Sequence, residues 1–279
     1  MYNVARFKIS FLGCGQMAQS LIQAYLQYGK VDPKNILISS RNLQKTQRIA
    51  EKFQVQKVND NEELLEKSSV IFLCVKPLDA EEVLHALRSD LRSNHTVISV
   101  MASVSIEQLQ KWGLSSQRII RLMPNIAVRV GRGVLPFYAY KNKESLKAFA
   151  EELFKPLGCV FPVDQEDLLK AFTVASASGI GFFLEILEYW IEWLQEQGFS
   201  YEQARQISVQ TFLGAGLLAD QNPQKKILDL QKEVTSSKGV TAAGLHTIRE
   251  LELERILRLG FEKASFREKE LSHLIKPIK

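Results

Sequence analysis

Hydrophobic and polar positions follow different patterns in the two halves of the chain. In the first half, short apolar runs alternate with stretches in which apolar residues recur at helical spacing. This alternation predicts βαβ units and a mostly parallel sheet. The predicted strands cover residues 7–12, 35–39, 70–75, 96–101, 118–123, 133–140 and 159–163. The run at 70–75 is almost wholly apolar, as expected for a central strand that is buried on both faces.

The pattern changes after about Asp164, where strand-like runs end and long amphipathic helices take over. A broad apolar stripe marks the first helix and comprises Phe172, Phe183, Ile186, Leu187, Trp190, Ile191 and Leu194. Residues 201–218 and 242–271 repeat the pattern. We therefore predict an α/β domain over residues 1–163 and an all-helical domain over residues 164–279. So much apolar helical surface favours a homodimer, or a higher homo-oligomer, built on the C-terminal helices.

Composition and charge exclude several classes of protein. The 279 residues include 36 basic and 31 acidic ones, which are mixed along the chain, so no basic cluster indicates a nucleic-acid partner. The three cysteines form no CxxC pair and the four histidines no HExxH motif, so we expect neither disulfides nor a metal site. The N-terminus lacks the features of a signal peptide, and no uninterrupted apolar stretch is long enough to span a membrane. We therefore expect a cytoplasmic protein with no membrane partner.

A glycine-rich turn follows the first predicted strand. Gly13, Gly15 and Ala18 form a G-x-G-x-x-A pattern, with Gln16 and Met17 opening the next helix. The first glycine permits a tight turn, the second lets the backbone approach a pyrophosphate, and the alanine keeps the helix close to the sheet. The pyrophosphate would bind the free N–H groups of that helix. This context predicts a Rossmann-type dinucleotide-binding domain rather than a simple tight turn.

The residues after the second predicted strand indicate which dinucleotide binds. An acidic residue there favours NAD, because it holds both ribose hydroxyls. This chain instead has Ser39, Ser40 and Arg41. Hydroxyls and a guanidinium suit a 2′-phosphate. We therefore expect NADP, used as NADPH, with NAD as a second possibility.

Two later strands end at the same edge of the predicted sheet, where ligands bind in such folds. The first is followed by Val75, Lys76 and Pro77. Lys76 either faces the cofactor or only positions the backbone, and the sequence leaves both interpretations open. The second is followed by Asn125, whose amide offers a donor and an acceptor near the expected nicotinamide.

Together these features resemble the pyrroline-5-carboxylate reductase family over nearly the whole chain. The matching segments, in the family's order, are Gly13-x-Gly15-x-Met17, Val75-Lys76-Pro77, Arg121-x-Met123-Pro124-Asn125, Ser176-Ala177-Ser178-Gly179, Gly214-Ala215-Gly216, the loop 234–241 and Arg267-x-x-Glu270-Leu271. The resemblance implies a Rossmann domain, an interlocking helical dimer, and reduction of the cyclic imine 1-pyrroline-5-carboxylate to L-proline with NAD(P)H.

The resemblance also implies where this imine would bind. It assigns Ser236, Gly239 and the backbone of Val240 to the substrate carboxylate, and Thr241 to the ring nitrogen. Ser176, in the segment that matches a family motif, is assigned to the substrate as well. A structural alternative for Thr241 is a hydroxyl that satisfies N–H groups at the start of a helix.

The chain departs from the family pattern on the substrate side. Ser237-Lys238 replaces a Pro-Gly pair, Ile180-Gly181 replaces Pro-Ala, and Ile126-Ala127 replaces Thr-Pro. Two interpretations stay open: a divergent proline-forming reductase, or a paralogue that binds NADP but acts on another imine or has a regulatory, competence-type role. A β-hydroxyacid dehydrogenase would need an asparagine four residues after Lys170, where this chain has Val174.

Overall fold

The described residues form one eight-stranded sheet. The computed structural model describes residue 4, residues 7–114 and residues 118–275. The strands are β1 (Ile9–Leu12), β2 (Ile36–Ser39), β3 (Gln56–Lys57), β4 (Val70–Leu73), β5 (Thr96–Ser99), β6 (Arg118–Leu122), β7 (Gly133–Ala139) and β8 (Gly158–Pro162). Their order is β3-β2-β1-β4-β5-β6-β7-β8, and every neighbouring pair is parallel except β6 with β7.

In the described residues, six helices lie between strands in the sequence, and six more follow the last strand. They are α1 (Gln16–Gln27), α2 (Leu43–Phe53), α3 (Asn61–Lys67), α4 (Ala80–Leu87), α5 (Ile106–Lys111), α6 (Glu144–Phe154), α7 (Leu169–Phe172), α8 (Gly179–Glu196), α9 (Tyr201–Asp220), α10 (Ile227–Glu233), α11 (Val240–Glu250) and α12 (Leu253–Leu274). Residues Thr173–Ser178, between α7 and α8, form a π-helical segment.

Alternation along the central strands divides the core into two clusters. Phe11 and Phe72 belong to one cluster and stack with ring centroids 4.9 Å apart. Leu12 and Leu73, the next residues along the same two strands, belong to the other cluster. Successive side chains of a strand point to opposite faces, so the sheet is covered on both faces by apolar packing. This explains why its central strands read as almost continuous apolar runs.

The structure confirms the predicted mostly parallel α/β sheet and all of its predicted strands. It adds β3, whose two residues are too few and too polar to give a strand signal. The helix expected over residues 242–271 is interrupted between α11 and α12. Glu252 lies there with a φ of 51°, which a continuing right-handed helix cannot contain.

The chain divides into two compact units. One comprises the described residues up to Ile180 together with those from Ala264 onward, and the other is Gly181–Lys263. The domain boundary near Asp164 rests on the change in sequence pattern and stays a prediction.

The second unit leaves most of its apolar surface uncovered. Ile191, Leu194 and Ala204 form a small buried cluster. In contrast, the side chains of Phe183 and Trp193 are 65% and 56% exposed. The predicted stripe is therefore present, and a single chain buries only part of it, including Ile191 and Leu194.

One helical run also passes a length and composition test for membrane helices. Residues 166–196 have a mean hydropathy of 1.4 in their most apolar window, of which 11% is buried. The window allows up to two charged residues and is therefore not an uninterrupted apolar stretch, so the expectation that no helix spans a membrane stays a prediction. Core helices of soluble proteins pass the same test.

Candidate active site

The turn after β1 requires glycine at its first position. Gly13 has a φ of 99°, and a Cβ there would lie 2.5 Å from the carbonyl oxygen of Cys74. Its N–H donates to the carbonyl oxygen of Ser39 at 2.7 Å, and the N–H of Cys74 donates to Leu12 at 2.8 Å. The turn therefore ties together the ends of β1, β2 and β4, so it holds the start of α1 at the edge of the sheet.

The N-terminus of α1 is open to an anionic ligand. Gly15 is the N-cap with ordinary backbone angles, and no side chain makes a capping hydrogen bond. Nothing lies within 4 Å of a Cβ built on Gly15, and the first turn, which begins with Gln16 and Met17, contains no acidic residue. The first N–H groups of a helix lack intrahelical partners and attract negative charge. This arrangement fits a dinucleotide pyrophosphate.

Sequence reasoning missed a cation beside this turn. Arg129 donates from Nη2 to Oε1 of Gln16 at 3.0 Å and from Nε to Oγ of Ser20 at 2.8 Å. It lies in the 3₁₀ turn Ile126–Val130, far from α1 in sequence. Only the fold brings it to the first turn of α1, and no local motif marks it.

The three residues after β2 have different surroundings. Ser39 is 6% exposed and donates its hydroxyl to Oδ1 of Asn61 at 2.6 Å, so its side chain supports the turn. The hydroxyl of Ser40 is 2.6 Å from that of Thr46. Arg41 is largely exposed and donates to Oδ2 of Asp79 at 2.6 Å. Arg41 is thus the member of this group that is accessible to a ligand.

The segment after β4 begins a short 3₁₀ turn. Lys76 is its N-cap, and Pro77 opens the turn Pro77–Asp79. The carbonyl oxygen of Lys76 accepts from the N–H of Asp79 at 2.9 Å, while its side chain is exposed. Val75 is partly buried against the core. The backbone of Lys76 therefore positions Asp79, and its side chain is accessible at the same edge.

Asn125 holds two segments together. Its Nδ2 donates to the carbonyl oxygen of Ser176 at 3.3 Å, and its Oδ1 accepts from the N–H of Val134 at 3.2 Å. The residue is 3% exposed. The hydroxyl of Ser176 donates to Phe172 at 2.9 Å within the π-helical segment. Both polar groups of the Asn125 side chain therefore form hydrogen bonds within the protein. The sequence did not indicate these two bonds.

Two buried thiols lie close to the glycine turn. Burial raises the pKa of the Cys14 thiol, and hydrogen bonding with Ser40 and Thr46 partly opposes that shift. Burial also raises the pKa of the Cys74 thiol, and the nearby Cys14 adds to it. Both thiols therefore stay protonated near neutral pH, and neither is an activated nucleophile.

The loop before α11 belongs to the other compact unit. The helix has Gly239 as its N-cap, without a side-chain capping hydrogen bond. A Cβ on Gly239 would meet Oγ of Ser236 at 2.1 Å, so the serine side chain would have to rotate to admit one. Val240 is 94% exposed, and Thr241 is exposed in the first turn. Thr241 is therefore not the capping hydroxyl, and the first N–H groups of α11 receive no side-chain cap.

Two family models match separate parts of the chain. A family model described as "NADP oxidoreductase coenzyme F420-dependent" matches residues 8–103, and one described as "Pyrroline-5-carboxylate reductase dimerisation" matches residues 166–271. The pyrroline-5-carboxylate reductase of Methanosarcina acetivorans is 31% identical over 266 residues, which cover 95% of this chain and 97% of that protein.

The chain belongs to the pyrroline-5-carboxylate reductase family. The solved structure of a pyrroline-5-carboxylate reductase from Coxiella burnetii has a TM-score of 0.86 and 28% identity, covering 95% of this chain and 98% of that one. The pyrroline carboxylate reductase of Plasmodium falciparum, solved with NADP bound, shares the fold with a TM-score of 0.83 and 23% identity, covering 96% and 99% of the two chains. The match to a dimerisation model supports homo-oligomerisation of this family member.

The main departure from the family pattern has a structural counterpart. Lys238 stands where the pyrroline-5-carboxylate reductase loop is expected to carry a glycine, and it adopts a φ of 61°. Residues other than glycine adopt this left-handed backbone conformation only at an energetic cost. The backbone of this loop therefore has a conformation that favours glycine, although lysine occupies the position.

Proposed function

We propose that this protein reduces 1-pyrroline-5-carboxylate to L-proline with NADPH as the hydride donor, as the resemblance to its family implies. The observation that carries the proposal is similarity along 95% of the chain to proteins named pyrroline-5-carboxylate reductase. The positive φ of Lys238 supports it, because the loop has a backbone conformation that a glycine at this position adopts readily.

The cofactor side of the proposal rests on residues of the sheet-containing unit. Gly13, Gly15 and the first N–H groups of α1 would hold the pyrophosphate, and Arg41 the 2′-phosphate. When bound, the dinucleotide supplies a hydride to the imine carbon. Gln16 and Ser20 fix Arg129 beside the same helix turn, where its charge adds to the positive end of the helix.

The substrate side rests on the loop before α11. The N–H of Val240, at the uncapped start of α11, would bind the imine's carboxylate. Ser236 and Gly239 support the turn, because the N–H of Gly239 donates to the carbonyl oxygen of Ser236 at 3.0 Å. The hydroxyl of Thr241 would donate to, or accept from, the ring nitrogen. Such a reaction needs little acid–base chemistry, because correct orientation of the two reactants supplies most of the rate.

Oxidation of NADPH in the presence of pyrroline-5-carboxylate tests the proposal. We expect turnover by the full chain that falls at least about tenfold in Thr241→Val, since that variant loses a hydrogen bond to the reacting nitrogen. Thr247→Val is the matched control, because it is an exposed threonine of the same helix. Tight NADPH binding without any turnover would overturn the proposal in favour of a non-reducing paralogue.

The quaternary and cellular parts of the proposal have their own support. We propose a homodimer, or a higher homo-oligomer, joined through the exposed stripe of α8 and the helices after it, with no nucleic-acid or membrane partner. Trp193→Glu should then shift the chain to monomers in analytical ultracentrifugation. A reducing cytoplasm fits the cysteines, because all three are free and Cys159 is exposed.

A further inference from the structure

A pocket of about 500 Å³, lined mainly by polar and charged residues, lies in the sheet-containing unit. Its wall is formed by α5, by residues just before and within α7, and by the last turns of α12. It shares no residue with the proposed cofactor and imine sites. Its volume is within the range of small-molecule sites, about 300–1,000 Å³.

Most charges on the wall are neutralised by a neighbour. The three ion pairs are Lys111 with Glu107 at 2.8 Å, Arg121 with Glu166 at 2.9 Å, and Lys170 with Asp167 at 2.7 Å. After this pairing, one anion and one cation of the wall have no ion pair among the described residues. They are Glu268 and Lys269.

Glu268 is a buried carboxylate with no counter-ion in the described part of the chain. The residue is 6% exposed, and its Oε1 accepts hydrogen bonds from Ser103 at 3.1 Å and Ser272 at 3.3 Å. Lys269 follows it directly on α12, but consecutive helix residues do not face each other. Glu268 and Lys269 therefore do not neutralise each other, and both charges are present on the wall.

Gln108 supplies the observation that points to a ligand. It is 8% exposed, and its Nε2 has no hydrogen-bond partner among the residues that the structure describes. Gln108 lies on the wall of the same pocket. A buried amide donor without a partner is costly, and such groups are rare in folded proteins. This nitrogen has almost no accessible surface, so an acceptor bound in the pocket would satisfy it once the amide turns toward the pocket.

We propose that this pocket binds a free α-amino acid in its zwitterionic form. Its ammonium group donates to the carboxylate of Glu268, and its carboxylate accepts from Nε2 of Gln108 and pairs with Lys269. The balanced charge of the wall disfavours a phosphate or nucleotide, which would need an excess of cations. The zwitterion instead matches one unpaired anion, one unpaired cation and one unpaired donor.

Binding is tested on the full chain without turnover. Each common L-amino acid except proline, the expected product, is titrated by calorimetry, and the best binder is compared with its N-acetyl and α-amide derivatives. We expect each derivative to bind at least about tenfold more weakly, because each loses one charged contact. Inorganic phosphate serves as the anion probe and should not compete.

Two variants connect the binding to this pocket. Lys269→Gln and Glu268→Gln should each weaken the binding of the best amino acid by about tenfold or more. Lys263→Gln, an exposed lysine on the same helix, is the matched control and should bind like the unmodified chain. Lys269 is exposed, so its variant keeps the test interpretable if Glu268→Gln is unstable.

Three outcomes would overturn the proposal. They are the absence of binding by any amino acid in the panel, unchanged binding in Lys269→Gln, or phosphate binding as tightly as the best amino acid.

Discussion

Nη2 of Arg41 donates a 2.6 Å hydrogen bond to Oδ2 of Asp79 at the edge of the sheet where the 2′-phosphate is proposed to bind. The carboxylate neutralises the guanidinium and would repel a phosphate. The pair is largely exposed on the arginine side, and such pairs contribute about 0–1 kcal/mol to stability. Its main effect is therefore expected on the cofactor.

Asp79→Asn should tighten NADPH binding by roughly threefold, because one repulsive charge near the 2′-phosphate is removed at high dielectric. NADH binding should change little. Fluorescence titration with both nucleotides measures the effect. Arg41→Ala should instead weaken NADPH by about tenfold or more and leave NADH nearly unchanged. Equal losses for the two nucleotides in Arg41→Ala would refute the assignment of Arg41 to the 2′-phosphate.

Gly13→Ala should reduce the stability of the protein, whereas Gly15→Ala should reduce its affinity for NADPH. A Cβ on Gly13 meets Cys74 at 2.5 Å and the residue has a φ of 99°, so that variant should lose about 2 kcal/mol or more of unfolding free energy. A Cβ on Gly15 meets nothing, so that variant should fold normally and lose NADPH affinity only. Urea unfolding and NADPH titration of both variants separate the two effects. Normal NADPH affinity in Gly15→Ala would contradict a close approach of the pyrophosphate.

Lys238→Gly should stabilise the loop before α11. A left-handed conformation costs an L-residue about 1–2 kcal/mol, whereas glycine loses about 0.5–1 kcal/mol in backbone entropy on folding. The expected net gain is about 0.5 kcal/mol, measurable as a higher urea midpoint. Lys238→Ala is the control, since it removes the charge and keeps the strain. A matching gain in Lys238→Ala would assign the effect to the charge instead.

Asn125→Ala should destabilise the protein more than an average substitution. The change leaves the partly buried N–H of Val134 and the partly buried carbonyl oxygen of Ser176 without this partner. Unsatisfied buried groups cost about 1–3 kcal/mol each. Chemical denaturation in the absence of nucleotide tests this structural role. An unchanged unfolding free energy, combined with weaker NADPH binding, would restore the purely cofactor-binding interpretation of Asn125.

His95 should make stability depend on pH. Burial lowers the pKa of its imidazole below the ordinary value of 6.5, although a hydrogen bond with the carbonyl of Leu65 opposes the shift. Its Nδ1 accepts from the N–H of Arg92 at 3.0 Å, and Nε2 is 3.1 Å from the carbonyl oxygen of Leu65. The neutral ring satisfies both contacts, and protonation would remove the acceptor.

The unfolded chain therefore binds more protons than the folded one just below pH 6.5, and stability rises with pH there. The contribution of His95 is fully present above pH 6.5 and is lost as the pH falls, by at most about 1.4 kcal/mol per pH unit. Thermal unfolding between pH 5 and 7.5 measures it. His95→Asn should flatten this dependence, and the exposed His85→Gln should not. A steep profile retained in His95→Asn would place its origin elsewhere.

Local patterns in the sequence were sufficient for the mostly parallel sheet, for all of its strands except β3, and for the glycine turn. The apolar runs, the Gly13-x-Gly15 spacing and the change of pattern near Asp164 each depend on neighbouring residues alone. The family resemblance rests on such segments in order, which is why the fold and the cofactor class followed from it.

Only the tertiary structure decided which polar groups meet. The fold joins segments that are far apart in sequence. It therefore brings Asp79 to Arg41, Arg129 to Gln16 in the first turn of α1, and Asn125 to Ser176. The positive φ of Lys238 has no sequence signal either, since lysine rarely adopts it. Hydrophobic periodicity is a local property of the chain, whereas hydrogen bonds and ion pairs depend on distances that only packing sets.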